Sequence, residues 1–486
     1  MTEPIRRATP PHTHGAMYGP NDSPPVGLSR GTGESVALHA LGWLAAGNLV
    51  GLLLATLLLA PAAGAALGPL TYGRWMPVHW NAQLYGWLAL PLVGLLLRLY
   101  RPGRTWERLA ISLWSATLLV GCVSWLAGQT GGKPFLEWTG PARGMLILDL
   151  VVLELALAVG LLRLIRARRA TRATDTIGAI GGIGRAGIVV RAALLAGLAT
   201  IPVAMAVATS ARVYPPINPD SGGPTGTSLL GSTLGIVWLF ALIPAILDLS
   251  PRLPATREVT AATLALLGAH TAAFLALEAL GGGNHSHHEA IQVVALASLI
   301  PWPMLLWLHL RRFRYPEGAG PWLAALGGWG VLLVGTAFVT FLPGVLERWK
   351  FTNALVAHAH LAMAGMVTAF SALALLSLVR GTRLAGVLAA PLPFALWQLG
   401  CLTYVASMMM LGTLEGIDPG LVIRSDPTSI GLYGFRWVAG ALMLSASVTW
   451  FARALRQTRA TALSGTAGAT GRDAPRSTAV LMEEAA

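Results

Sequence analysis

The sequence predicts an all-α, polytopic membrane protein of about twelve helical spans. Three observations lead there. Of 486 residues, 54% are hydrophobic and only 11% are charged, against about a quarter charged in a soluble chain. The apolar residues gather into runs of ~20, the length that crosses a bilayer as a helix. The arginines fall in the short loops between alternate runs, which is how a membrane topology distributes positive charge.

Read along the chain, the spans fall at about 35–62, 76–98, 109–128, 144–165, 187–209, 227–248, 258–280, 290–310, 321–345, 353–379, 385–412 and 432–454. Arg98, Arg101, Arg104 and Arg108 separate spans 2 and 3, and a run from Arg163 to Arg185 separates spans 4 and 5. Arg311, Arg312 and Arg314 follow span 8, Arg380 and Arg383 follow span 10, and Arg453, Arg456 and Arg459 follow span 12. These loops all lie on one side, which the positive-inside rule makes cytoplasmic, with both termini inside. The intervening loops, such as Gly128–Gly140 and Gly416–Ser429, are rich in Gly, Pro and Trp and face outward.

The net charge of +13 is therefore a topology signal. Nucleic acid is not an expected partner, because no basic stretch is interleaved with aromatics. Cys122 and Cys401 sit inside apolar runs, so buried thiols are expected rather than a disulfide framework or a zinc site. Residues 1–34 lack the apolar segment of a signal peptide and read as a disordered cytoplasmic arm. The membrane domain is expected over 35–455, and a disordered cytoplasmic tail over 456–486.

The eleven histidines are unevenly informative. His12 and His14 lie in the arm, His309 reads as interfacial at an inner helix end, and His39 takes no role. His79 is early in span 2, while His358 and His360 are early in span 10, and both spans enter from outside. At a rise of ~1.5 Å per residue the three imidazoles share the outer third of the membrane. His358 and His360 are two residues apart, about 200° around a helix, so their rings leave on opposite faces. One metal cannot easily take both; two cofactors flanking the helix can. Neutral imidazole is a standard axial ligand for haem iron. His285, His287 and His288 form a further group in the outer loop after span 7.

At these residues the chain resembles a known family. Span 2 reads VHWNAQLYGWLALPL and span 10 reads FTNALVAHAHLAMAGMVTAF. The first resembles the low-spin haem span of haem–copper oxidase subunit I, and the second its tenth span. The segment GQTGGKPFLEW after span 3 is similar to the corresponding loop of the cbb-type oxidases and nitric oxide reductases. Twelve spans match the family core, so the resemblance covers about residues 35–455.

The resemblance implies that His79 and His360 are axial ligands of a low-spin haem, b-type being expected. It makes His358 the proximal ligand of a high-spin haem across span 10. A second metal, copper or non-haem iron, would face that haem, with His287 and His288 in the region of its ligand pair and His285 as a spare. The implied role is the core subunit of a respiratory terminal oxidase in a bacterial-type inner (plasma) membrane. Electrons would come from an accessory subunit of the cytochrome c or cupredoxin type, since the chain has no C-x-x-C-H motif of its own. The gas reduced would be dioxygen, with nitric oxide as the alternative.

Span 6 departs from the family pattern. It contains no histidine, and Gly231, Ser232 or Thr233 stands near the ligand position. Spans 6 and 7 also contain no tyrosine, where the oxygen reductases keep a redox-active phenol. A hydroxyl is a poor replacement for imidazole on copper, so a non-catalytic haem electron carrier or gas sensor stands as a second reading. Arg348, Arg424 and Arg436, with Lys350, are candidate partners for haem propionates through charge-assisted hydrogen bonds. Asp149, Glu154 and Glu278 are intramembrane carboxyls suited to proton relay, Glu278 alternatively to non-haem iron, and His270 to a relay or a neighbour.

Overall fold

The computed structural model describes residues 31–133, 135–173, 185–213, 226–281 and 289–470. Within them the protein is all-α and polytopic, and eleven helices are long and apolar enough to cross a membrane. Numbered by predicted span, these are α1 (Thr32–Leu59), α2 (Tyr72–Tyr100), α3 (Arg104–Leu126), α4 (Gly140–Arg169) and α5 (Gly187–Ala208). After α6 come α7 (Thr256–Leu280), α8 (Val293–Leu310), α9 (Gly320–Thr340), α10 (Asn353–Leu378), α11 (Pro391–Ile417) and α12 (Pro427–Ala460).

The sixth span is where the described structure differs from the expected twelve. Helix α6, Gly226–Ala241, has only 16 residues. A turn at Leu242 and a short helix, Ile243–Ile246, replace its C-terminal end. Pro244 has no N–H to continue the α-helical ladder and its ring crowds the preceding turn, which accounts for the break. The last helix differs in the other direction, running on to Thr470 past the expected boundary at 455. The one β ladder described pairs Ser250 with Arg314 and Pro251 with Phe313.

Packing divides the spans into two groups. The main apolar core is built largely on α1–α4 and α9–α12, and a smaller one joins α6, α7 and α8 through Leu230, Leu234, Leu267 and Trp302. Helix α10 is central, with 72% of its apolar window buried, against 6% for α5 and 11% for α7. Its start is fixed by Thr352, whose hydroxyl accepts from Ala354 N at 3.2 Å. Its approach to α11 depends on Gly412, where a Cβ would lie 1.8 Å from Ala354 N. Side chains carried by α10 are thus held on both flanks of the protein's most buried helix.

Candidate functional site

Two helices change pitch just beyond their histidines. In α2 a π-helical segment, Ala82–Leu88, follows His79, and in α10 another, Leu361–Val367, follows His360. A π turn adds a residue and tilts carbonyls away from the helix axis, a device frequent at functional sites. Here side chains take those carbonyls: Trp397 Nε1 donates to Ala364 O at 2.9 Å, and Thr368 Oγ1 to Met363 O at 3.0 Å. Trp87 Nε1, within the α2 segment, donates to Thr368 Oγ1 at 3.0 Å and ties the two helices together.

Above that tie the imidazoles of His79 and His360 face each other. Their ring centroids are 6.4 Å apart and their planes 19° from parallel. His79 Nδ1 donates to Gly47 O on α1 at 2.8 Å, and His360 Nδ1 donates to Val356 O at 2.8 Å. A carbonyl only accepts, so each Nδ1 carries the proton and each Nε2 keeps its lone pair. This backbone anchoring is what fixes ring orientation in a metal-ligating histidine. Gly51 gives His79 its place, since a Cβ there would lie 2.7 Å from His79 Cε1.

Both rings line a cavity of about 550 Å³ between α1, α2, α10, α11 and α12. That volume is within the range of small-molecule and cofactor sites. The walls are mostly apolar, including Leu52, Leu84, Met363 and Met443, and Phe135 from the loop between α3 and α4 closes one side. Among the described residues no aspartate or glutamate lines it. Its polar groups are mainly donors: Asn48 Nδ2, Trp80 Nε1 and the Tyr404 hydroxyl are buried without a hydrogen-bond partner among the described residues. Arg436 also lines it, 9% exposed, with its guanidinium over the Tyr404 ring at 5.4 Å and against Met408 Sδ at 3.8 Å. A guanidinium at that depth with only neutral neighbours is costly unless an anion joins it.

These features fit a metal-centred macrocycle with acidic edge groups. Two coaxial metal–imidazole bonds of about 2.0 Å put ring centroids ~6 Å apart, which is the separation found. The cavity is broad and apolar, and its buried donors and cation match carboxylate groups.

His358 points the other way, as its spacing predicts. Its Nδ1 lies 3.1 Å from Thr336 Oγ1 on α9. Thr336 gives its own proton to Leu332 O at 2.8 Å, so His358 Nδ1 is the donor and Nε2 again keeps its lone pair. His285, His287 and His288 lie outside the described residues. Among those described, no group of three His, Cys, Asp or Glu side chains is placed to hold a metal ion.

Of the four candidate propionate cations, only Arg436 reaches the cavity. Arg348 is exposed and Lys350 half-buried outside it. Arg424 pairs with Asp418 in the loop between α11 and α12, and that contact holds the Asp418 carboxyl below the ordinary carboxylate range. His309, in the last turn of α8, is buried, with Nε2 3.0 Å from Ala241 O. His270 is a structural link, accepting from Trp302 Nε1 at 2.9 Å and reaching Ser298 Oγ at 2.9 Å. Asp149 is buried and Glu154 and Glu278 are half-buried; Asp149 Oδ1 and Glu154 Oε2 have no hydrogen-bond partner among the described residues. Asn48, Gln83, Thr368, Trp397 and Tyr404 join the site without having been singled out in the sequence, and Trp80, which reads there as one of an interfacial belt of tryptophans, lines it too. A polar residue in mid-span was the available signal for Asn48 and Gln83.

The site thus belongs to a polytopic helical membrane protein with a histidine-walled, mostly apolar cavity. No family model matches the sequence, and no curated protein matches it. Among solved structures the chain is similar to a heme-copper terminal oxidase, described as a dimer by cryo-EM. The TM-score is 0.46 at 13% sequence identity, covering 88% of this chain and 84% of that one.

Proposed function

We propose that this chain is the haem-binding core subunit of a respiratory, oxidase-like membrane complex. The observation that carries the reading is the His79–His360 pair: two Nδ1-anchored imidazoles, 6.4 Å apart, on the wall of a broad apolar cavity. His79 and His360 would hold a haem, b-type being the expectation, and Arg436 and Trp80 would receive its acid groups. Such a group would supply one-electron redox chemistry there.

His358, on the opposite face of α10, would hold a second haem, which would supply the gas-reducing chemistry. Dioxygen is the proposed acceptor and nitric oxide the enzymatic alternative. His285, His287 and His288 are the proposed ligand region for copper or non-haem iron. The two histidines share one short helical turn, so electrons given to the first site by an outer donor subunit have a covalent route to the second.

A different reading, a haem electron carrier or gas sensor without the second metal, is favoured by one observation: α6 contains no histidine. Metal analysis of purified protein decides between them. Two haems with one copper or iron per chain and turnover of oxygen or nitric oxide support the enzyme. Haem without a second metal, and no turnover, supports the carrier. Protein that binds no haem overturns both.

A further inference from the structure

We propose that Tyr404 is a positioning residue that sets the plane of the His360 imidazole, and so makes the two axial ligands present parallel planes. The inference rests on the haem reading above and deepens it. The Tyr404 and His360 rings are stacked, with centroids 4.1 Å apart and planes 25° from parallel. The bond from Nδ1 to Val356 O comes from His360's own helix at 2.8 Å. One such bond fixes where Nδ1 points, but the terminal torsion of histidine is broad, and the tilt needs a second restraint. The flat face of Tyr404, brought from α11, supplies it.

Tyr404 is itself held firmly. It is 5% exposed, its hydroxyl makes no hydrogen bond among the described residues, and the Arg436 guanidinium lies over its ring at 5.4 Å. A cation over an aromatic face is attracted by the ring quadrupole. The ring, not the hydroxyl, is therefore the part that meets His360. His79 takes its orientation from a different element, α1, through Gly47 O and the gap at Gly51. Two separate helices fix the two imidazoles, and the result is planes within 19° of each other.

The angle between axial imidazole planes has a spectroscopic consequence. Parallel planes split the two iron d orbitals that overlap the ligand π systems, which gives a rhombic low-spin spectrum. Crossed planes leave those orbitals nearly degenerate, and the largest g value rises. Electron paramagnetic resonance of the oxidised holoprotein therefore reads ligand orientation directly, without turnover.

The wild type is expected to show a rhombic low-spin signal. Tyr404→Phe keeps it, because the flat ring remains. Tyr404→Ala shifts the largest g value of the low-spin haem that remains bound upward, read from the signal's position and not from its amount. Tyr404→Leu, which fills the space without a flat face, gives the same shift and serves where the alanine variant does not assemble. A low-spin signal unmoved by both Ala and Leu overturns this inference alone, and so does a Phe variant that shifts as Ala does. A wild-type holoprotein with no low-spin signal overturns the haem reading and this inference with it.

Discussion

The imidazoles of His79 and His360 stand 6.4 Å apart with planes 19° from parallel, each anchored through Nδ1 to a different helix backbone. That separation is about what two imidazoles sharing one metal at ~2.0 Å would show.

Gly51→Ala should weaken the site without touching a ligand. Its Cβ would lie 2.7 Å from His79 Cε1, so the ring must tilt. Overpacking of this kind costs ~1–3 kcal/mol, which is about 5- to 150-fold in an equilibrium constant. Haem per polypeptide, measured after extraction across a haemin titration, should fall accordingly; an unchanged titration contradicts the contact.

Arg436 and Arg424 should behave oppositely. Arg436 lines the cavity, whereas Arg424 is engaged by Asp418 outside it. Hydrogen bonds to charged groups contribute ~1.5–3 kcal/mol, so Arg436→Leu should reduce haem affinity by roughly tenfold or more. Arg424→Leu should leave it unchanged, since an exposed ion pair contributes about 0–1 kcal/mol. Equal losses in the two variants would refute the placement.

Thr368→Val should destabilise the fold rather than change the spectrum. It removes the acceptor for Trp87 Nε1, which is 2% exposed. A buried donor left unsatisfied costs ~1–3 kcal/mol. The thermal unfolding midpoint in detergent should drop, with the haem bands of the folded protein at their original wavelengths.

Lys133→Met should loosen the C-terminal end of α5. The Lys133 ammonium donates to the carbonyls of Ala208, Ser210 and Val213. Helix α5 buries only 6% of its apolar window, so this clamp carries an unusual share of its docking. Hydrogen exchange over 205–213 should quicken by at least tenfold, from ~1.5–3 kcal/mol of lost charge-assisted bonding. Exchange at the wild-type rate would show that the clamp is dispensable.

Much of this arrangement was legible in the sequence, and the physics explains which parts. Runs of apolar residues with arginines in alternate loops define the spans, because the bilayer permits few alternatives. The spacing of His358 and His360 separates their faces, because helical periodicity fixes it. The early positions of His79 and His360 in α2 and α10 bring their rings together. Features that depend on tertiary partners were not legible. Pro244 ends α6 early, although the run around it is apolar enough to suggest a full span. Arg348 and Arg424 looked equivalent to Arg436, but only a helix position aimed into the bundle reaches the cavity. Tyr404 meets His360 from another helix, and nothing local in α11 announces that contact. The two π segments arise after both histidines from packing between helices, where no residue of the sequence demands them.

The most direct test is a reduced-minus-oxidised spectrum with haem counts on His79→Ala, His360→Ala and His358→Ala beside the wild type. The account predicts that His79→Ala and His360→Ala abolish the same low-spin band and remove the same haem, while His358→Ala keeps that band. A low-spin band that survives loss of either His79 or His360 would contradict it.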